Sequence, residues 1–275
     1  MIPQAYIIGW RNTHAPWESN AQVEQDLILS RLLIELFSHP ELAKKLAFRG
    51  GTALQKLFVS PQARYSEDID LVQVTAEDIG PTMSMLRSLF DPILGNAKWK
   101  QNQGRVTLIY RYESEIQPIE KMRIKIEINT REHFNVLGFK NEPFSVESAW
   151  FSGQTNITTY HLEELLGTKL RALHQRKKGR DLFDFHCFLQ KDTGCDWEKV
   201  ALCFTRYIEE EGTQITRAMF EKVLLEKLKE PLFTKDVNPL LSSKTIKLYK
   251  PEKTAVALME RVLPYLRGEP YRRNI

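Results

Sequence analysis

The sequence predicts an α+β protein in two parts, a strand-bearing first half and a helical second half. Polar and apolar residues alternate in "DIDLVQV", "RVTLIYRYE" and "KMRIKIEINTRE", the two-residue period of strands with one buried face. Apolar residues at three- and four-residue steps mark helices on either side of these strands. From about Tyr160 onward only the helical pattern persists. The expected domains are residues 1–155, with an N-terminal helix, and residues 156–275, a helical domain carrying a motif of Lys, Arg and Asp; the join is expected near residues 151 to 160.

The first clear element is "NAQVEQDLILSRLLIELFSHPEL", where Val23, Leu27, Ile28, Leu32, Leu36 and Phe37 form one helical face and Pro40 ends it. "KLAFRGG" reads as a short strand entering a tight turn, after which Thr52 is expected to cap the helix "ALQKLF". The loop "VSPQARYSE" then leads into "DIDLVQV". A helix over "EDIGPTMSMLRSLFDPIL" places Met83, Leu86, Leu89 and Phe90 on one side, with Pro81 in its first turn. Two strands follow, joined by "SEIQPIE"; the second sends Ile124, Ile126 and Ile128 one way and Lys125, Glu127 and Asn129 the other. The second half opens with "HLEELLGTKLRALHQRKKGRDLFDFHCFLQ" and continues with helical patterns in "DWEKVALCFTRYIEEEG", "TRAMFEKVLLEKL" and "KTAVALMERVLPYLRG".

Composition removes several classes of answer. The chain has 275 residues, 42% apolar and 27% charged, and no run approaches the ~20 apolar residues of a membrane span. The N-terminus lacks the basic, then apolar, then small-residue order of an export signal, so the expected location is cytoplasmic. Three cysteines, Cys187, Cys195 and Cys203, fit neither a zinc knuckle nor a disulfide framework and are expected as plain thiols. A net charge of +4 is too mild to identify a nucleic-acid binder by itself.

The stretch "LAFRGGTALQKLFVSPQARYSEDIDLV" concentrates the chemistry. On a strand, Asp68 and Asp70 point to the same side while Ile69 and Leu71 enter the core. Like charges held that close repel, and a divalent cation between them relieves the repulsion; hard oxygen ligands with few protein carboxylates suit Mg²⁺ bound together with nucleotide phosphates. Gly50, Gly51 and Thr52 supply a turn where backbone can approach closely and N–H groups at a helix start can hold an anion. Against this stands the plain reading of two aspartates on the solvated side of a strand, although Asp is disfavoured in strands. Glu127 either completes the metal group or acts as base, or else pairs with Lys125 or Arg123 on its own strand. Arg64 lies either at the mouth of an anionic site or on an exposed loop.

Downstream, "GTKLRALHQRKKGRDLFDF" carries Lys or Arg at positions 169, 171, 176, 177, 178 and 180. One reading is a cationic wall for triphosphate oxygens, with Lys169 as point charge and Arg176 and Arg180 as forks. The other is a solvated basic face with an ion pair between Arg180 and Asp181 or Asp184. Gly179 leaves open whether the helix is continuous, in which case Lys169, Arg176, Arg180 and Asp184 share a face, or restarts with Asp181 as its cap. The basic run at 176 to 180 and the tail "YRRNI" are further candidates for contact with an RNA backbone.

Taken together, "FRGGTALQKLF", "RYSEDIDLV", "KIEIN" and "LLGTKLRALHQRKKGRDLFDF" resemble, in order, the motifs of the AbiEii-type nucleotidyltransferase toxins, relatives of abortive-infection systems and of the mycobacterial MenT toxins. The resemblance covers roughly residues 46 to 188. It implies a polymerase-β-like nucleotidyltransferase core with a helical C-terminal region, Mg²⁺ as cofactor, a nucleoside triphosphate substrate, an RNA acceptor such as the tRNA 3′ end, and a cognate antitoxin protein. Carried over by position, Gly50, Gly51 and Thr52 correspond to the nucleotide-holding turn, with Gly-Gly-Thr in place of the wider superfamily's Gly-Ser. Asp68 and Asp70 correspond to the metal aspartates, Ser66 to the approach to them, Lys169 to the triphosphate-binding lysine, and Asp181, ahead of Asp184, to the late catalytic aspartate. A metal-dependent nuclease, a phosphotransfer enzyme and a non-catalytic nucleotide-binding module remain as rivals. The order Lys125-Ile126-Glu127 inverts the Glu-x-Lys of common nuclease cores, and no G-x-G-x-x-G loop is present.

Overall fold

A computed structural model describes residues 2–190 and 194–272. Two compact units emerge, one formed by Met1–Asn135 with Phe139–Tyr160 and the other by Val136–Gly138 with His161–Ile275. Residue 155, the expected end of the first domain, lies inside a strand that runs to Tyr160, so backbone pairing carries the first unit on to that residue.

The first unit holds α1 (Gln4–Thr13), α2 (Asn20–Ser38), α3 (Pro40–Lys45), β1 (Leu46–Arg49), α4 (Gly50–Ala53), β2 (Asp68–Gln73), α5 (Ile79–Leu94), β3 (Lys98–Asn102), β4 (Arg105–Glu113), β5 (Lys121–Asn129), β6 (Phe139–Glu147) and β7 (Ser152–Tyr160). The strands make one mixed sheet in the order β3-β4-β5-β2-β1-β7-β6. Ser19 caps α2 by accepting from the Gln22 amide, and the helix stops at Ser38 because His39 turns extended ahead of Pro40. Asp78 caps α5, and Gly95, at φ +79°, ends it. The core consists of Leu27, Leu32 and Phe37 from α2, Leu86 and Phe90 from α5, and Ile69, Leu71, Leu108, Ile124, Ile126 and Ile128 from the sheet, all buried.

The alternation read in "KMRIKIEINTRE" is observed, with Ile124, Ile126 and Ile128 fully buried and Lys125, Glu127 and Asn129 half-exposed. Helix α1 and strands β3, β6 and β7 are among the elements without a sequence expectation. Helix α1 buries only Ile7 and Trp10. Strand β3 is exposed throughout. Strands β6 and β7 pair at the far edge of the sheet and bury few side chains, and β6 carries Pro143. With so little buried, none of these strands shows an apolar period.

Two further expectations are corrected. Thr52 does not cap a helix: helical backbone begins at Gly50 with Arg49 as N-cap, and residues Leu54–Phe58 continue it as one π-helical turn. Arg64 is neither exposed nor at a cleft mouth; it is 2% exposed, and its guanidinium donates to the Tyr65 carbonyl at 3.0 Å.

The second unit comprises α6 (Leu162–Gln175), α7 (Gly179–Leu189), α8 (Trp197–Glu210), α9 (Arg217–Leu228), α10 (Pro231–Thr234), α11 (Ser243–Leu248) and α12 (Pro251–Arg261). The helix is interrupted at 176–178, so α6 and α7 are separate, and Asp181 falls in the first turn of α7, its amide bonded to the Lys178 carbonyl, rather than at the cap. Gly179 is required there because a Cβ would collide with the Phe233 carbonyl oxygen. At the end of α6, Lys227 Nζ donates to the carbonyls of Leu173, His174 and Arg176, satisfying groups a helix end leaves unpaired. Glu164 accepts from the amides of Val136 and Leu137 and from the Tyr207 hydroxyl, fastening the short 136–138 segment to α6. The three cysteines are free thiols. Among the described residues no helix is long and apolar enough to cross a membrane.

Candidate active site

Strand β1 delivers the chain into the Gly-Gly-Thr turn, and β2 returns antiparallel to it with Arg49 opposite Asp70. The turn therefore sits against the first aspartates of β2. Gly50 has φ +80°, and a Cβ on it would collide with Asp70 Oδ2, so glycine is demanded both by backbone conformation and by the closeness of the carboxylate. Thr52 is 1% exposed; its hydroxyl donates to the Asp68 carbonyl and lies 2.8 Å from Ser66 Oγ. In this structure Thr52 and Ser66 thus tie the turn to the start of β2, and the Thr52 hydroxyl is committed to the protein.

Asp68, Asp70 and Glu127 share one face of the sheet, since β2 and β5 run parallel with Asp68 opposite Lys125 and Asp70 opposite Glu127. The pairing differs from that expected for Glu127. It meets neither Lys125 nor Arg123 but Arg105 of β4, at 3.1 Å, while Lys125 reaches across to Asp68 at 3.4 Å. Both partners come from strand neighbours whose register no local pattern reveals. Asp68 Oδ1 is buried with no hydrogen-bond partner. Burial raises the Asp68 carboxyl to about 6, helped by Glu67 and Asp70 and opposed by Lys125. A buried, unpartnered carboxylate oxygen costs free energy unless a cation or proton takes it up.

Among the described residues no group of three or more His, Cys, Asp and Glu side chains is drawn together as a metal site. Two carboxylates on one face, one with an unsatisfied buried oxygen, nevertheless fit a divalent cation whose other ligands come from phosphates and water, as Mg²⁺ prefers. Behind this face, Gln25 of α2 donates to the carbonyls of Glu67 and Arg123 at 3.1 and 3.0 Å, linking the starts of β2 and β5. The buried pair of Asp26 and Lys56, at 2.7 Å, anchors the π-helical turn to α2. The sign of both in the sequence is a set of polar residues, Glu24, Gln25, Asp26 and Ser30, on a helix that buries nearly every side.

The second unit brings together Lys169, Arg176, Asp181 and Asp184. Lys169 Nζ lies 3.1 Å from Asp181 and 3.0 Å from Asp184, with only 7% of its side chain exposed. Arg176 holds Asp181 with two hydrogen bonds of 2.7 Å from Nε and Nη2. Burial alone would raise the Asp181 carboxyl, but Lys169 and Arg176 outweigh it and hold the group well below the usual carboxylate range. The expected pairing of Arg180 with Asp181 or Asp184 is not found; Arg176 and Lys169 take those places. The cationic run is largely neutralised, with Lys177 on Glu230, Lys178 on Asp236 and Arg171 on Glu211. Arg180 is half-buried. Of the basic tail, Arg273 lies outside the described residues.

Solved structures similar in fold include the following two. The nucleotidyltransferase toxin MenT4 of Mycobacterium tuberculosis is 16% identical, with a TM-score of 0.65 over 98% of this chain and 100% of its own. The protein JHP933 of Helicobacter pylori is 18% identical, with a TM-score of 0.58 over 90% of this chain and 93% of its own. At these identities the likeness shows the fold alone. No protein of curated function matches the sequence significantly. The family described as the nucleotidyl transferase AbiEii toxin of type IV toxin-antitoxin systems matches residues 31–255. That match decides for nucleotide transfer over the nuclease, phosphotransfer and binding-module readings, and it implies a nucleotide substrate and an antitoxin partner. The chain belongs to the AbiEii nucleotidyltransferase toxin family.

Proposed function

We propose that this nucleotidyltransferase moves a nucleotide from a nucleoside triphosphate to an RNA acceptor such as the tRNA 3′ end, that it uses Mg²⁺, and that it acts in the cytoplasm as a toxin restrained by its cognate antitoxin. The observation that carries the reading is the pair Asp68 and Asp70 on one sheet face, with the Gly50 backbone against Asp70 and Asp68 Oδ1 buried without a partner.

An acceptor hydroxyl attacks the α-phosphorus in line, a new P–O bond forms, the bond to the β-phosphate oxygen breaks, and pyrophosphate leaves with the electron pair. Asp68 and Asp70 would hold Mg²⁺, which when bound supplies charge neutralisation to the phosphates and acidifies the acceptor hydroxyl. Gly50 lets the turn close on Asp70, and the N–H groups of the turn it forms with Gly51 and Thr52 would receive a phosphate. Glu127, held by Arg105, receives the hydroxyl proton on a carboxylate oxygen. Arg176 and Arg180 are proposed to meet triphosphate charge, with Lys169 fixing Asp181 as the group that orients Arg176.

Incubating total RNA with Mg²⁺ and each α-labelled triphosphate in turn should label RNA, whereas γ-labelled triphosphate should not. Asp70→Ala should lower transfer by roughly 10³-fold, since metal-borne charge stabilisation is worth several kcal/mol. Undiminished labelling by purified, folded Asp70→Ala protein would refute the assignment.

A further inference from the structure

Most cations of the 169–178 run are taken up by carboxylates, whereas several on the sheet are not. Strand register aligns Lys98, Ile109, Lys125 and Asp68 in one row across β3, β4, β5 and β2, and Lys100, Thr107, Glu127 and Asp70 in the next. Residues in register share a face, and the Lys125–Asp68 and Arg105–Glu127 contacts place these rows on the side of the aspartates. Alternation extends the same face along β4 and β5 through Arg111, Arg123 and Lys121. Lys98, Lys100, Arg111, Lys121 and Arg123 are all exposed, and among the described residues none of their side chains forms an ion pair.

We propose that this open face of β3, β4 and β5 is the track on which the phosphodiester backbone of the acceptor lies as its end reaches Asp68 and Asp70. The proposal rests on the reading of an RNA acceptor given above. Strands lie about 4.8 Å apart, so the rows run about 14 Å from the sheet edge to the aspartates, a span of a few nucleotides. Lysines on an edge strand commonly discourage pairing with another sheet, and Lys98 and Lys100 alone would have no further meaning. Arg111, Arg123 and Lys121 carry the positive charge on along β4 and β5 past the last residues paired with β3 or β2, so it does not belong to the β3 edge alone. Exposed Trp99 is in register with buried Leu108 and belongs to the opposite face, so the track offers cations without an aromatic platform. Such a surface holds phosphates irrespective of base sequence.

The test uses the full-length chain with Lys98→Ala, Lys100→Ala and Arg111→Ala combined. Its comparator is Lys44→Ala with Lys199→Ala, whose lysines are exposed and already have carboxylate partners. Thermal melts of both should match the parent, since the replaced side chains are exposed. With a fluorescein-labelled tRNA pool as probe, the triple variant should bind on the order of 10- to 100-fold more weakly and lose about 2 from the slope of log affinity against log salt, while the comparator binds as the parent does. In transfer assays KM for RNA should rise with kcat retained. The proposal is overturned if the triple variant binds RNA as the parent does, if the parent shows no salt-dependent RNA affinity, or if polyglutamate displaces the probe as well as unlabelled RNA does, which would assign the face to an acidic polypeptide. Failure of the transfer reading registers separately, as absence of α-label transfer by the parent whatever its RNA affinity.

Discussion

Two aspartates of this chain, Asp181 and Asp68, sit in opposite electrostatic settings. Asp181 and Asp184 are fully buried, yet Lys169 and Arg176 lie against them and Asp181 is held ionised well below the usual range. Asp68 is less buried, has one long contact to Lys125 and one unpartnered oxygen, and is raised to about 6. Asp181 and Asp184 already have their counter-charges from the protein and serve to order α6 against α7. Asp68 is left with one buried oxygen that no protein group takes up, as suits the proposed cation.

Substitution at Lys169, beside Asp181, and at Asp68 should therefore change stability in opposite directions. Lys169→Met is expected to cost about 3–5 kcal/mol, because removing one partner strands buried charge. Urea unfolding at neutral pH measures it, and a cost near zero would mean that the cluster is less coupled than its geometry indicates. Because the folded Asp181 carboxyl is depressed, its stabilisation is present above the ordinary carboxylate pKa of about 4 and fades as pH falls through and below it. The parent should consequently lose stability in acid more steeply than Lys169→Met.

Asp68→Asn is expected to stabilise the metal-free protein by roughly 1–3 kcal/mol while abolishing transfer, since the amide removes a poorly solvated charge. The sign follows from the raised pKa: ionised Asp68 is penalised in the fold above pH about 6, and the penalty vanishes below the ordinary carboxylate pKa. The gain over the parent should thus be full at pH 8 and absent at pH 4, read by thermal melts in EDTA. A loss of stability at pH 8 would break the contrast between Asp68 and Asp181.

Gly50→Ala should have the smallest effect on the fold, about 1–2 kcal/mol for a side chain at positive φ. Its effect on chemistry should be larger, because the added Cβ displaces the Asp70 carboxylate. Nucleotide transfer compared with melting temperature separates the two effects. Loss of transfer without a matching loss of fold would place the close approach of Gly50 to Asp70 in the reaction.

Strand β5, whose side chains alternate between core and solvent, and the opening Asp68–Leu71 of β2 could be read from sequence because their period is local. The same alternation placed Asp68 and Asp70 on one side of β2, and the glycines before them marked a turn that backbone sterics demand. Strands β3, β6 and β7 could not be read, since they bury too few side chains to leave a period. Which charge meets which was decided only by tertiary structure. Arg105 on Glu127, Lys125 on Asp68, and Lys169 between Asp181 and Asp184 each depend on register between strands or on the break between helices. Burial of Arg64 and the tie of Thr52 to β2 likewise depend on packing between residues apart in the chain. Residue type and spacing act over a few positions, whereas the free energy of a charge is set by the dielectric and the partners that the folded chain places around it.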